Sequence, residues 1–368
     1  MTVSNPASHP DEAEMVAKAT RLFGGLPANG EITLVTVVKD GWFFMQSWLE
    51  HHRTIGVDRF LILDDGSSES FLDFLRAEQD VTVYSLPYRY GENVEWLGSS
   101  GQIRSVGAGS AYKEVFGNRI APSRINFVLD SDEYLVIHPD FKNLRELLSY
   151  FDGSPATIFP AQMVDMLPES WPPYDFGAQF PSFGDLIDAH PKFLAEPAWS
   201  RRKDKFVWKW RVNGITRLFE FYRIFAGEGW KFFLRSILWW ALPKRWVYPR
   251  SDINKIPILT NQNSKDRRGS HSSTKTPNAP FVMAVLHFTM TRQLDEKINF
   301  VLSKQGSYGV SKSRYRSLMR LTRKIKKLSV RQPMLKGDFA TFEGPISFVQ
   351  SGIFENYLDN SAWVLPPD

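Results

Sequence analysis

The stretch ITLVTVVKDGWFFMQSWLEHHRTIGVDRFLILDDGSS, residues 32–68, contains two short apolar runs separated by a helical pattern. The runs, Ile32–Val38 and Phe60–Leu63, are nearly continuous, as in strands that are buried on both faces of a sheet. Between them, apolar residues at positions 42–55 recur at intervals of three and four, and Gly56 follows as a stop. This order predicts a strand, a helix and a second strand.

The same alternation continues along the chain. Apolar runs at Val81–Leu86 and Ile125–Leu129 predict two more strands, and helical patterns near Phe71–Leu75 and Gln102–Phe116 predict the helices that join them. Alternating strands and helices pack as a mostly parallel sheet with helices on its faces and right-handed connections. The sequence therefore predicts an α/β protein.

Length and composition narrow the class of protein. The chain has 368 residues, of which 43% are hydrophobic, and its 12 Trp, 12 Tyr and 28 Phe are sufficient for a large core. At roughly 150 residues per domain, this predicts two domains or one large domain with an appendage. A collagen-like, coiled-coil or wholly disordered chain is excluded. Because there is no Cys, any metal must be bound by oxygen and imidazole.

The positive charge is concentrated in one segment. Nine of the 45 Lys and Arg residues lie in residues 312–331, which contain no Asp or Glu, so the rest of the chain has 36 basic and 40 acidic residues. Such a cluster favours an anionic surface or a solvated helix face, whereas nucleic-acid-binding proteins spread their charge over the binding domain. We therefore expect no nucleic-acid partner. Binding to nucleic acid would weaken steeply with salt.

Acidic residues gather where three predicted strands end. They follow the strands as Lys39-Asp40, Asp64-Asp65 and Asp130-Ser131-Asp132-Glu133. Ligands of open α/β sheets bind beyond the carboxyl ends of the strands. Asp130 and Asp132 lie two residues apart, so an extended backbone points both carboxylates the same way, where a divalent ion would keep both ionised. The alternative is a solvated polar turn, and for Asp64-Asp65 a common turn chemistry.

Other interpretations of the second acidic cluster are weaker. A calcium-binding loop requires Gly where the sequence has Leu135. A phosphatase that forms an aspartyl phosphate also has Asp-x-Asp after a strand, and it stays as an alternative, although Glu133-Tyr134 replaces the usual following residues. His287 lies inside the apolar run Val285–Phe288, where it needs a partner. It is either a satisfied core histidine or a metal ligand.

Several segments occur together in an order that resembles one family. They are Val37–Ser68, Phe127–Leu135, Gly214–Phe219, Lys255–Ile258, Gly269–His271 and Val285–Phe288. Together they resemble bacterial glycosyltransferase family 2-like proteins, whose DxDE motif corresponds to Asp130–Glu133. The resemblance spans roughly residues 32–315. It implies a GT-A fold, in which a Rossmann-like, mostly parallel sheet flanked by helices binds a nucleotide sugar.

The resemblance also implies roles for individual residues. Asp64 would read the nucleobase, Asp130 would contact the ribose or the ion, Asp132 would bind Mn²⁺ or Mg²⁺, and His287 would complete the metal site. The pattern departs at Gly41, where the family has Glu after an Arg-Asn pair that is Lys39-Asp40 here. The other candidate contacts to the nucleotide sugar are Lys39, Asp40, Asp65, Gln102, Arg104, Arg217 and His271.

The candidate catalytic base is Asp165, which follows a further strand-like run. An acceptor hydroxyl needs a base if it attacks directly, whereas the nucleoside diphosphate leaving group needs no acid because a divalent ion stabilises its charge. A carboxylate without a chemical role is the alternative for Asp165. Surface ion pairs are the alternative for Arg104 and Arg217.

Two segments are candidates for membrane contact. Residues 230–246 mix Trp, Phe and Leu with flanking cations, but their longest uncharged apolar run, Ile237–Leu242, is far shorter than the ~20 residues needed to cross a bilayer. With residues 312–331 they resemble a peripheral anchor with two signals. A core helix and a solvated basic helix are the alternative. The N-terminal residues lack the pattern of a secretory signal, so we expect a cytoplasmic protein, peripheral on the inner face of the membrane.

These observations lead to three expected domains and one expected activity. The domains are a polar lead at 1–28, a GT-A-like catalytic domain at 29–300 and a helix-rich C-terminal extension at 301–368. The expected activity is metal-dependent transfer of a sugar from a UDP- or GDP-linked donor to a glycan or other hydroxyl acceptor. The alternative is a non-catalytic protein that binds a nucleotide or glycan on the same scaffold.

Overall fold

A computed structural model defines the fold. It describes residues 9–89, 92–98, 101–120, 125–151, 158–173, 175, 180–202, 205–208, 213–249, 254–260, 267–268, 272–273, 279, 281–303, 312–328, 335 and 339–354. The strands are β1 Thr20–Phe23, β2 Thr33–Val38, β3 Arg59–Asp64, β4 Val81–Ser85, β5 Asn93–Leu97, β6 Ile103–Gly107, β7 Ile125–Val128, β8 Glu133–Val136, β9 Ile158–Asp165, β10 Lys192–Leu194, β11 Trp199–Arg202, β12 Lys205–Trp208, β13 Asn254–Thr260, β14 Arg267–Arg268, β15 Ser272–Ser273, β16 Met283–His287 and β17 Phe339–Thr341. The helices are α1 Glu12–Lys18, α2 Trp42–Thr54, α3 Glu69–Arg76, α4 Ala108–Arg119, α5 Leu144–Tyr150, α6 Phe183–Ala189, α7 Gly214–Phe221, α8 Gly229–Ile237, α9 Lys244–Val247, α10 Leu294–Leu302, α11 Lys312–Leu328 and α12 Ile346–Gln350.

Within the described residues, nine strands form one central sheet in the order β1-β4-β3-β2-β7-β13-β9-β16-β8. Strands β2, β3, β4, β7, β9 and β16 run in one direction, and β1, β8 and β13 run in the other. The sheet is therefore mixed and mostly parallel. The predicted α/β class is confirmed, and the arrangement is compatible with a Rossmann-like fold.

The core has two sides because successive side chains of a strand point to opposite faces of the sheet. On one face Val35, Leu61 and Val128 pack against α4, and on the other Leu34, Phe60 and Phe127 pack against α2 and α3. This burial on both faces explains why the strands read as continuous apolar runs. The four predicted strands and the first two predicted helices are confirmed.

The helix predicted near Gln102–Phe116 is wrong in its first part. Residues 103–107 form β6, which pairs with β5 as an antiparallel hairpin, and α4 starts only at Ala108. Trp96 lies opposite Arg104 in this hairpin, and the guanidinium lies 5.0 Å from the centre of the indole ring. The local sequence pattern does not show this cross-strand contact, so the spacing of residues predicted a helix where a strand forms.

The two terminal regions also contribute to the packed structure. Strand β1, within the predicted lead at 1–28, pairs with β4 at the edge of the central sheet. Helix α11, within the predicted extension at 301–368, buries Leu318, Leu321 and Ile325 in a cluster with α7 and α10. The three-domain division itself stays a prediction.

Helix α2 supports the edge strand β8. The indole nitrogen of Trp48 donates to the carbonyl of Glu133, at 2.9 Å, and a ring nitrogen of His51 lies 2.7 Å from the carbonyl of Leu135. The amide of Leu135 lies 3.4 Å from Nε2 of His52. Burial lowers the pKa of His51 to about 4, so its ring is neutral here. Side chains of α2 thus contact backbone groups of the edge strand β8 and hold it in place.

Replacing Trp48 tests this support. Trp48→Ala removes a fully buried indole and is expected to lower the free energy of unfolding by about 3–5 kcal/mol. Trp48→Phe leaves the Glu133 carbonyl without its donor and is expected to lower it by about 1–3 kcal/mol. Urea denaturation followed by circular dichroism measures both. Trp240→Phe, at an exposed ring, is the control and should change it by less than about 0.5 kcal/mol. Equal stability of Trp48→Phe and this control would contradict the role of the hydrogen bond.

Candidate functional site

A cleft of about 450 Å³ opens at the carboxyl ends of the central strands. Its sheet side is formed by the residues that end β2, β3, β7 and β16, and its other side by α10 and α11. From the sheet come Lys39, Asp65, residues 130–133 and His287, among others. The three acidic strand ends of the sequence thus contribute to one cleft, although the residue from the second strand end is Asp65.

Three polar side chains lie in one row across neighbouring strands. His287 on β16 is the register partner of Glu133 on β8 and of Asp165 on β9. His287 Nδ1 and Asp165 Oδ1 are 2.9 Å apart, and His287 Nε2 lies 3.9 Å from Asp132 Oδ2. Because a carboxylate accepts, the proton of the ring lies on Nδ1, and Nε2 lies 3.0 Å from the hydroxyl of Thr289, another residue of the cleft.

The charges around His287 favour a cation. Burial alone would lower the pKa of His287, but the hydrogen bond to Asp165 and the charge of Asp132 raise it above the ordinary value. Burial would raise the pKa of Asp132, yet the charges of Lys297 and His287 hold it below the ordinary value. A proton on Nε2 and a metal ion bound there are favoured by the same negative charges.

Asp132, Glu133 and His287 form the candidate metal centre. Each offers one ligand atom, and these atoms lie within 4.8 Å of one another. Two carboxylate oxygens and one imidazole nitrogen suit Mn²⁺ better than Mg²⁺, which prefers oxygen ligands in a nearly ideal octahedron. The donor set therefore fits the predicted divalent ion, with Glu133 in the place that the sequence had assigned to Asp130.

Two buried lysines neutralise the other side of the acidic cluster. Lys255 Nζ lies 2.6 Å from Glu133 and 3.1 Å from Asp130, and Lys113 forms a second ion pair with Asp130. Burial would lower the pKa of Lys255, but the charges of Asp130 and Glu133 raise it above the ordinary value. Burial raises the pKa of Glu133. Lys255 is thus a fixed positive charge beneath the cleft.

The charge balance of this cluster leaves room for a divalent ion. Four carboxylates, Asp130, Asp132, Glu133 and Asp165, lie around two buried lysines. With all four ionised and His287 neutral, the two buried lysines leave two negative charges, and Lys297, 3.4 Å from Asp132, leaves one. Burying uncompensated charge is costly, so this excess itself favours cation binding.

A bulge in β13 positions Lys255. Lys255 is the register partner of Ala161 on β9, but Ile258 pairs with Phe159, so β13 has one extra residue between them. Pro257 lies in this interval, in keeping with the confinement of proline within sheets to edges and bulges. Bulges change the direction of neighbouring side chains. Here the bulge lies next to the lysine on which the acidic cluster depends.

Asp165, the predicted base, is buried behind His287. One carboxylate oxygen accepts from the ring of His287 and the other from the amide of Ile215, at 3.0 Å. This amide belongs to the first turn of α7, where Asn213 caps the helix and the helix dipole favours a negative charge. The side chain of Asp165 is 1% exposed. The placement favours a role in orienting His287 over a role as the base itself.

The other residues at the first two strand ends have local partners. The carboxylate of Asp64 accepts from the amides of Gly66 and Ser67, both at 3.0 Å, which is the turn chemistry given above as the alternative. Asp40 accepts from the amide of Ser68 at 2.8 Å. These hydrogen bonds fix the loops beside Lys39 and Asp65, which do line the cleft.

The predicted phosphate-contacting arginines form ion pairs within the protein. Arg104 pairs with Glu114, and Arg217 lies 2.9 Å from Glu196. Arg217 matches the alternative of a surface ion pair, whereas Glu114, the partner of Arg104, is buried. Neither arginine lines the cleft. Gln102 is exposed next to the β5–β6 hairpin, and the prediction for His271 lies outside the described residues.

Sequence reasoning missed several residues of the site. Glu133, Lys113, Lys255, Lys297 and Arg314 were not predicted as site residues. Two signals were available: Glu133 directly follows Asp132 in the acidic cluster, and a lysine at the start of the apolar segment Lys255–Ile258 needs acidic partners if it lies in a buried strand. The remaining three depend on contacts between distant parts of the chain.

Comparison with protein-family models gives no match for this chain, and comparison with curated proteins gives none either.

Asp165→Asn tests the orienting role. Loss of the carboxylate that fixes His287 is expected to weaken Mn²⁺ binding about 10- to 100-fold, the usual effect of removing a residue that positions a metal ligand. Calorimetric titration with MnCl₂ measures the affinity. Asp188→Asn, on the exposed face of α6, is the matched control and should bind as the wild type does. Unchanged affinity in Asp165→Asn would contradict the proposed orientation of His287.

Proposed function

We propose that the protein is a metal-dependent glycosyltransferase that moves a sugar from a UDP- or GDP-linked donor to a hydroxyl acceptor. The observation that supports this most is the Asp132–Glu133–His287 cluster at the carboxyl edge of an α/β sheet, in a cleft that also has cations on its opposite side. We propose further that the sheet has the GT-A form of the Rossmann-like fold. The resemblance of the motifs supports this assignment.

The size of the cleft suits a nucleotide-sugar donor. Pockets for small molecules commonly enclose about 300–1,000 Å³, and this cleft encloses about 450 Å³. Val37 and Val38 give the part of the cleft beside β2 an apolar surface, and Asp65 gives it an acceptor for the N–H or hydroxyl groups of a nucleoside. We assign this part of the cleft to the nucleoside and the part near His287 to the diphosphate.

Three cations of the cleft suit the diphosphate. Lys39 follows β2, Lys297 lies on α10 and Arg314 lies on α11, so they approach from both sides of the cleft. Lys297 Nζ lies 3.4 Å from Asp132, beside the candidate metal centre. A guanidinium and two ammonium groups provide charge-assisted hydrogen bonds to phosphate oxygens.

Separate groups of residues would bind the ion, hold the phosphates and support the ligands. A divalent ion held by Asp132, Glu133 and His287 would stabilise the charge on the departing diphosphate without proton transfer. Lys297 and Arg314 would hold the phosphate oxygens and orient the sugar–phosphate bond. Asp165 would fix the ring of His287, and Lys255 would hold Glu133 and Asp130 in place by ion pairing. The two helices would exclude water from the bond that breaks.

Nucleotide binding tests the proposal. Mn²⁺ with UDP or with GDP is expected to raise the melting temperature of the wild type, since ligand at 100 times its Kd adds about 2.7 kcal/mol to stability. Asp132→Asn is expected to lose this response, and Asp188→Asn is expected to keep it. Differential scanning fluorimetry with and without EDTA measures the shift. No response to any nucleoside diphosphate would refute the donor. Turnover of a panel of nucleotide sugars separates an enzyme from a binding protein.

Lys297→Gln distinguishes the diphosphate contact from the metal contact. Removing the ammonium group is expected to weaken binding of UDP or GDP in the presence of Mn²⁺ by roughly three- to tenfold, because a charge-assisted contact is lost. Binding of Mn²⁺ alone should stay equal or become tighter, because a competing cation has left Asp132. Calorimetry measures both constants.

Lys326→Gln, which removes an exposed cation of α11 outside the cleft, is the control. If both Lys297→Gln and Lys326→Gln weaken nucleotide binding equally, the effect is one of general charge and the assignment of Lys297 is refuted.

A further inference from the structure

Helix α8 has its apolar side turned to solvent. Trp230, Phe233, Leu234 and Ile237 follow one another at the spacing of a single helix face, and all four are exposed. None of the residues of this helix is buried. An amphipathic helix on a globular protein normally buries this face against the core. With Trp240, which follows the helix, these side chains form what we call the aromatic surface.

The aromatic surface is where apolar exposure is concentrated. Of the fourteen large apolar side chains that are exposed in the described part of the chain, seven lie within residues 230–246. They include the four exposed tryptophans, and Trp230 and Trp240 are 70% and 75% exposed. A contiguous surface of this kind marks an interaction site, whereas single exposed apolar residues are ordinary.

The charges along α8 and the residues after it are all of one sign, and Glu228, which precedes the helix, is paired with Arg316. Residues 229–251 contain no Asp or Glu, while residues 229–246 contain four Lys or Arg. Arg223 also lies over the ring of Trp239, at 5.1 Å from its centre. Tryptophan prefers the boundary between water and hydrocarbon, and cations at the rim of an apolar face are attracted to anionic lipid headgroups.

The basic helix α11 packs directly against α8. The guanidinium of Arg320 lies 4.4 Å from the ring centre of Phe232 and donates to the carbonyl of Gly227 at 3.1 Å, and Arg316 pairs with Glu228. The two segments that the sequence separated by more than sixty residues therefore form one unit. Its exposed residues include Arg323 and Lys327 of α11.

We propose that α8 and the residues after it dock this protein onto the surface of an anionic lipid bilayer. The helix would lie in the plane of the interface with the aromatic surface at the level of the headgroups and the cations around it. No helix in the described residues is both long and apolar enough to span a bilayer, so the contact is with one face. Self-docking through the same patch would bring the basic segment of one copy against that of the other, which favours lipid over a second copy.

Vesicle flotation tests the lipid contact. The wild type is expected to float with vesicles of phosphatidylcholine and phosphatidylglycerol, to float much less with phosphatidylcholine alone, and to shift its tryptophan emission to shorter wavelength when bound. The double variant Trp230→Ala, Trp240→Ala is expected to bind at least about tenfold more weakly, because it removes apolar area that drives interfacial binding. Lys231→Glu is expected to reduce the preference for the anionic vesicles.

The control is the double variant Leu26→Ala, Ile346→Ala, which removes exposed apolar side chains elsewhere and should float as the wild type does. Equal loss in the control, or failure of the wild type to float with anionic vesicles, would overturn the proposal. So would sedimentation showing a wild-type dimer that the tryptophan variant abolishes. The response to UDP or GDP with Mn²⁺ should be the same in the tryptophan variant, so this result is independent of the proposed enzymatic activity.

Discussion

The buried ammonium group of Lys255 is the constraint on which the acidic cluster depends. A charge without exposed surface is stable only when it is paired, and Lys255 has Asp130 on one side and Glu133 on the other. This lysine joins β13, in the middle of the sheet, to the loop and edge strand that carry the acids. Each partner offsets the desolvation cost of the other. Removing one partner therefore costs more free energy than forming the pair gains. The same pairing fixes the position of Glu133 beside His287.

The candidate metal centre uses strands that are distant in sequence but adjacent in the sheet. Glu133, His287 and Asp165 share one row because β16 lies between β8 and β9. A shift of one residue in either pairing would turn the side chain to the opposite face of the sheet. The row is held from outside as well, since Trp48 bonds the backbone of Glu133 and the start of α7 bonds Asp165. The geometry of the ligands therefore depends on the whole edge of the sheet.

The sequence predicted what is local and missed what depends on pairing between distant segments. The apolar runs located the strands, and their ends located Asp132, because a change from apolar to acidic residues is visible within a few positions. His287 was visible as a polar residue inside an apolar run. Glu133, rather than the expected Asp130, belongs to the candidate metal centre. This placement depends on the ion pairs of these acids with Lys113 and Lys255, which come from α4 and β13. Asp64 differs, because Gly66 after Asp64-Asp65 already indicated a turn in the sequence. The carboxylate of Asp64 does accept a hydrogen bond from that turn. The hairpin at residues 93–107 was missed because its cross-strand contacts have no periodic signal.

Helix α11 connects the cleft to the aromatic surface. Arg314 lines the cleft and Arg320 packs on Phe232 of α8, so one helix carries contacts to both. Six residues of α-helix correspond to about 9 Å along the axis. A surface that α8 contacts would therefore lie close to the wall of the cleft that α11 forms. Under the proposed function and the proposed lipid contact, the positive charge of α11 would have two uses, since the same helix would face a diphosphate at one end and a lipid-binding helix further along. Such a double use would account for a basic segment in a chain that is otherwise slightly acidic.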